Sequence, residues 1–146
     1  MTEKFSLQPL LNIMQERSDE ATRKLGKLIA AENNEKSRLQ MLENYRLEYS
    51  QNLIKAAQNG LSPITMANYQ DFLARIDEAI ELQKKAVVRS KNNSELGKQE
   101  WQKQNTKLKA ISTLADRHQQ RMQKMTNKRE QKLLDEFANR KAAAKE

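Results

Sequence analysis

The sequence predicts an all-α fold: an antiparallel two-helix coiled-coil hairpin whose C-terminal helix is longer than its N-terminal one. Three observations carry this. A register of steps of three and four runs unbroken from Met66 to Met125, a similar one runs from Leu7 to Ala56, and the one strong helix break, Asn59-Gly60-Leu61-Ser62-Pro63, lies between them. A register kept that long means a long helix with a narrow apolar seam. A lone helix cannot hide its seam, so each helix has to cover the other.

The first helix is expected over about residues 7–58. Pro9 fits its first turn, where a missing N–H costs nothing. Its seam has 15 positions from Leu7 to Ala56, eleven of them apolar; Ser18, Glu32, Glu35 and Arg46 interrupt it. The turn is expected at 58–63. Gly60 suits the left-handed residue that ends a helix. Ser62 is a good N-cap, with Pro63 at the first helical position. Leu61 and Met66 stand at the two positions of a hydrophobic staple. So short a connection makes antiparallel neighbours.

The second helix is expected over about 63–141. Its seam has 18 positions from Met66 to Met125, twelve apolar, with Gln83, Ser90, Ser94, Gly97, Gln104 and His118 as exceptions. At 1.5 Å per residue that stretch spans roughly 90 Å. The whole chain, 1–146, reads as one coiled-coil domain.

With the turn near residue 60, position i lies opposite about 121 minus i. Glu32 then faces Arg89, Arg46 faces Ile76 and Asp77, Leu42 faces Ala79 and Ile80, Leu53 faces Asn68 and Tyr69, and Trp101 falls beside Glu20 and the small Ala21. The second helix should overhang the first by about 20 residues, or ~30 Å. In the overhang the old register carries Arg129 and Lys132, while Leu133, Leu134 and Phe137 start a new apolar patch. That patch is either a partner surface or a frayed tail with scattered exposed side chains.

Composition fits this economy. The chain is 37% hydrophobic, 32% charged and 5% aromatic, with mean hydropathy −0.96. That is too little apolar material for a multilayer core and enough for coiled-coil seams. Disorder is the rival reading of such polarity, and the sustained register argues against it. Without cysteine there is neither a disulfide framework nor a thiolate metal site. Met1 to Leu11 contains no secretory h-region, and no apolar run approaches the roughly 18 residues a bilayer span needs. A soluble protein is expected, able to sit beside a membrane without inserting.

Charge is uneven. Residues 84–129 hold 13 Lys or Arg against 3 acids, a net of +10, whereas residues 63–83 hold one Arg and four acids, a net of −3. The basic stretch can attract nucleic acid, an anionic membrane surface or an acidic protein, or it is a solvated coiled-coil face. Its cations are dispersed along a paired helix without aromatics between them, unlike a base-stacking platform, so no nucleic-acid partner is expected. Catalytic chemistry is not in view. His118 is the single histidine, the acid pairs Asp19/Glu20 and Asp77/Glu78 lie on helices without an expected pocket, and Gly26, Gly60 and Gly97 are too scattered for a phosphate loop. An enzyme needs a concave site that excludes water. Neither catalysis, a cofactor nor a metal is expected.

Four of the seven aromatics crowd near the turn: Tyr45, Tyr49, Tyr69 and Phe72. Tyr49 and Tyr69 lie in the seam. Tyr45 and Phe72 lie on the flanks, and the antiparallel map gathers Tyr45, Tyr49, Phe72 and Ile76 into one patch. Clustered aromatics off a core are typical of protein-binding hot spots. The alternative is a thickened, better packed tip.

The segments Leu39-Gln40-Met41-Leu42-Glu43-Asn44-Tyr45-Arg46-Leu47-Glu48-Tyr49 and Asn68-Tyr69-Gln70-Asp71-Phe72-Leu73 resemble the flagellar export protein FliJ family. So do Gly60-Leu61-Ser62, Ile76 through Glu81, Trp101 and Asp135-Glu136-Phe137-Ala138, and the likeness covers nearly the whole chain. It implies a two-helix antiparallel coiled coil similar to the central stalk subunit of rotary ATPases. It also implies work in the cytoplasmic part of the flagellar type III export apparatus, peripheral to the inner membrane. The implied partners are the export ATPase FliI, its regulator FliH, the export gate protein FlhA and export chaperones. The implied gate-contacting surface is Leu42, Tyr45, Tyr49, Phe72, Ile76 and Ala79, with Arg38 and Gln83 at its edges. The open end, with Leu133, Leu134 and Phe137, would enter the ATPase ring. The chain is expected to be monomeric alone. The competing readings are a structural coiled coil that self-associates and a basic helical protein associated with nucleic acid.

Overall fold

The computed structural model describes residues 4–145. They form two helices in order, α1 (Gln8–Gln58, 51 residues) and α2 (Pro63–Lys145, 83 residues), with no strand among the described residues. The fold is the helix hairpin with a longer second helix. At the start of α1 the Leu7 carbonyl accepts the first helical hydrogen bond, from the Leu11 N–H at 2.9 Å, so Pro9 stands in the first turn. At the turn Gly60 takes φ +90°, the left-handed conformation that an L side chain resists. The Ser62 Oγ accepts the Thr65 N–H at 3.2 Å and its carbonyl accepts the Met66 N–H at 3.0 Å, which caps α2 just before Pro63.

The chain divides into two compact units, residues 21–101 and the described residues of 1–20 with 102–146. In the first unit the seams meet as expected. Ala21, Ile76 and Ile80 are buried, and the other seam positions are partly buried. Gly97 stands close against the facing helix, since a Cβ there would lie 2.6 Å from Leu28 Cδ1.

Several polar seam positions of this unit are joined across the helices. The Gln83 amide donates to the Glu35 carbonyl at 2.9 Å and to the Glu35 carboxylate. Arg46 forms an ion pair with Asp77. The Trp101 indole N–H donates to Thr22 Oγ1 at 3.0 Å. The expectation that Glu32 faces Arg89 does not hold. Glu32 accepts the Ser94 hydroxyl at 2.8 Å and pairs with Lys36 at 3.3 Å. A linear count ignores helical phase: Ser94 stands in the seam, whereas Arg89 is exposed on the flank.

In the second unit Met14 and Ser18 are buried, and the Phe5 ring lies 5.5 Å from the His118 ring. Met122 is the last partly covered seam residue. Met125, expected in the seam, is exposed, and so is every residue from 123 to 145. α1 begins only at Gln8, so it has no side chains left to cover that part of α2. No helix among the described residues is long and apolar enough to cross a membrane.

Candidate partner-binding surfaces

The first surface lies beside the turn. Tyr45 and Tyr49 are one helical turn apart on α1, and Tyr69 and Phe72 share a face of α2, so pairing the helices interleaves four rings. Tyr49 is the hub. Its ring centroid lies 4.6 Å from Phe72, 5.0 Å from Tyr69 and 6.4 Å from Tyr45. Phe72 meets Tyr45 edge-on at 6.1 Å. Burial, first of all, pushes the Tyr49 phenol above its ordinary pKa. Tyr45 remains 48% exposed.

Next to these rings is an open concavity of about 430 Å3 lined by Arg38, Met41, Leu42, Tyr45 and Gln83. Glu35 organises its polar edge, holding Gln83 from below and pairing with Arg38 at 3.5 Å. The concavity is therefore lined by apolar side chains with one cation and one amide. It suits an apolar side chain carried by a polar segment.

The structure thus gathers Arg38, Leu42, Tyr45 and Gln83 around one hollow, and Tyr45, Tyr49 and Phe72 in one ring cluster. Ala79 is partly exposed. Ile76 is different: at 5% exposed it belongs to the core beneath the surface. Met41, 70% exposed, joins this surface although it is not among the residues expected there. Its signal was spacing, three residues after Arg38 and four before Tyr45 on one helix face. The acid pair Asp77/Glu78 does line a shallow hollow, together with Glu81, Leu82 and Lys85. Asp77 is already committed to Arg46, which holds its carboxyl below the ordinary value. No group of acids and histidines among the described residues is arranged to hold a metal ion.

The second surface is the tail of α2. Leu133, Leu134 and Phe137 are 65%, 63% and 59% exposed. They form a small apolar patch on a single helix, with Lys141 Nζ 5.1 Å from the centre of the Phe137 ring. Nothing within the described residues covers it.

The family model described as Flagellar FliJ protein matches residues 3–146. The chain belongs to the FliJ family. It is 30% identical over 145 residues to a flagellar FliJ protein of Salmonella typhi, covering 99% of both chains. It is 27% identical, over the same share of each, to a flagellar FliJ protein of Escherichia coli (strain K12). FliJ membership implies a role in flagellar export, in association with the export apparatus.

Proposed function

We propose that this FliJ-family protein is a non-enzymatic component of the type III export apparatus that links the export ATPase to the membrane gate. In this reading the tip surface of Arg38, Leu42, Tyr45, Tyr49, Phe72 and Ala79, with Ile76 supporting it from the core, binds the gate protein FlhA. Gln83 and Met41 complete its rim. The tail patch of Leu133, Leu134 and Phe137 binds the ATPase complex of FliI and FliH. Export chaperones are brought to the gate by the same component, which works at the cytoplasmic face of the inner membrane.

The observation that carries this reading is the half-exposed Tyr45 beside an apolar hollow in a chain of the FliJ family. A partly exposed aromatic backed by other rings loses little conformational freedom on binding, which favours it as an anchor. The test is a pull-down with the purified chain against FliI and FlhA of its own organism. Capture of both is expected. Capture of neither, by a chain of full helical content, overturns the proposal.

A further inference from the structure

Seven of the eighteen Lys and Arg of α2 fall in one row. Stepping by four and three residues from Lys103 to Lys132 visits nine positions in the second unit. Seven are Lys or Arg, none is acidic, and the other two are Ala110 and Leu114. All nine are exposed. At 100° per residue they stay within roughly a third of the helix circumference over roughly 44 Å of rise. This row runs beside the apolar seam and is separate from it. None of its seven cations takes part in an ion pair among the described residues.

Such a row repels itself, because like charges at i, i+4 destabilise a helix. An anionic partner relieves that repulsion. The spacing says which kind. Cations every 3.5 residues lie about 5 Å apart along the axis, and acidic side chains at heptad spacing on another helix lie at the same interval. Between Lys107 and Arg117 the row is apolar, with Leu114 42% exposed. A helical partner can bury that step against an apolar residue of its own, which a phosphate backbone cannot do. No aromatic lies in the row to stack a base.

We infer that the row from Lys103 to Lys132 is a docking strip for an acidic amphipathic helix of a partner protein. That helix presents carboxylates every three to four residues on either side of a short apolar step. The strip shares no residue with the two surfaces assigned above, so it stands or falls independently of them.

The probe is a synthetic labelled helical peptide with glutamates at alternating three- and four-residue spacing around a central leucine. A scrambled peptide of the same composition is the control. Anisotropy titrations use the full chain, a row variant (Arg117→Glu, Arg121→Glu, Lys124→Glu) and an off-row variant of equal charge (Lys98→Glu, Lys109→Glu, Arg140→Glu). The patterned peptide should bind at least tenfold more tightly than the scrambled one. The row variant should lose tenfold or more, and the off-row variant no more than about threefold. Equal losses in the two variants, or equal binding of the two peptides, would show that only net charge matters and overturn the strip. Tighter binding to single-stranded RNA or to phosphatidylglycerol vesicles than to the patterned peptide at the same salt would also overturn it. Circular dichroism on each variant separates lost binding from lost helix.

Discussion

Tyr45 and Phe72 look alike from their positions off the seam, and the structure separates them. Phe72 is partly buried and bridges Tyr45 and Tyr49 across the two helices, while Tyr45 is nearly half exposed. Phe72→Ala should therefore cost about 1–3 kcal/mol of stability, and Tyr45→Ala less than about 1 kcal/mol. Thermal or urea unfolding of the two variants checks the order. Glu32 and Asp77 make a second case. Hydrogen bonds, from Ser94 and Arg46 respectively, hold both carboxyls below their ordinary values. A depressed folded-state pKa contributes stability above the unfolded value of about 4, and loses it as pH falls further. The melting temperature should thus be insensitive to these two groups between pH 7 and 5 and drop below about pH 4. Asp77→Asn should lower it at pH 7 and flatten the acid limb; an unchanged acid limb would show that the pair contributes nothing. Tyr49 acts in the opposite sense. Its pKa is raised, so its contribution is intact below about pH 10 and fades above it.

At the level of the helices, two glycines test how the pairing is built. Gly26 has open space around the position of a Cβ, whereas a Cβ at Gly97 would meet Leu28 Cδ1 at 2.6 Å. Both lie in helix interiors, where Ala is favoured over Gly by about 1 kcal/mol. Gly26→Ala should deliver that gain as a raised melting temperature. Gly97→Ala should deliver less, because Leu28 has to move aside. Equal gains would mean that the helices do not approach closely at Gly97. The two helices, the Gly60 turn and the greater length of α2 were legible in the sequence, because periodicity and end signals are local. The Glu32–Ser94 contact was not. Cross-helix partners depend on the phase of both helices, and a count from the turn gives position along the axis without phase. Met125 was misread for a related reason: the register continues in α2, but cover depends on where α1 begins.

For the molecule as a whole, the aromatic crowd near the turn was visible in the sequence, and so was the apolar patch at 133–137. The hollow holding Met41 was not, since concavity comes from two helices together. The proposed division of labour has consequences at both surfaces. Leu133 and Phe137 have no cover among the described residues, so Leu133→Ala with Phe137→Ala should weaken binding to FliI and leave unfolding almost unchanged. A markedly lower melting temperature in that double variant would mean that these side chains support the fold. The central claim rests on Tyr45, and its most direct test is the affinity of Tyr45→Ala for FlhA and for FliI, measured side by side. Truncation of a hot-spot aromatic costs about 2 kcal/mol or more, roughly thirtyfold in affinity. The account expects a loss of that size for FlhA with FliI binding retained; undiminished FlhA binding, or equal losses for both partners, would contradict it.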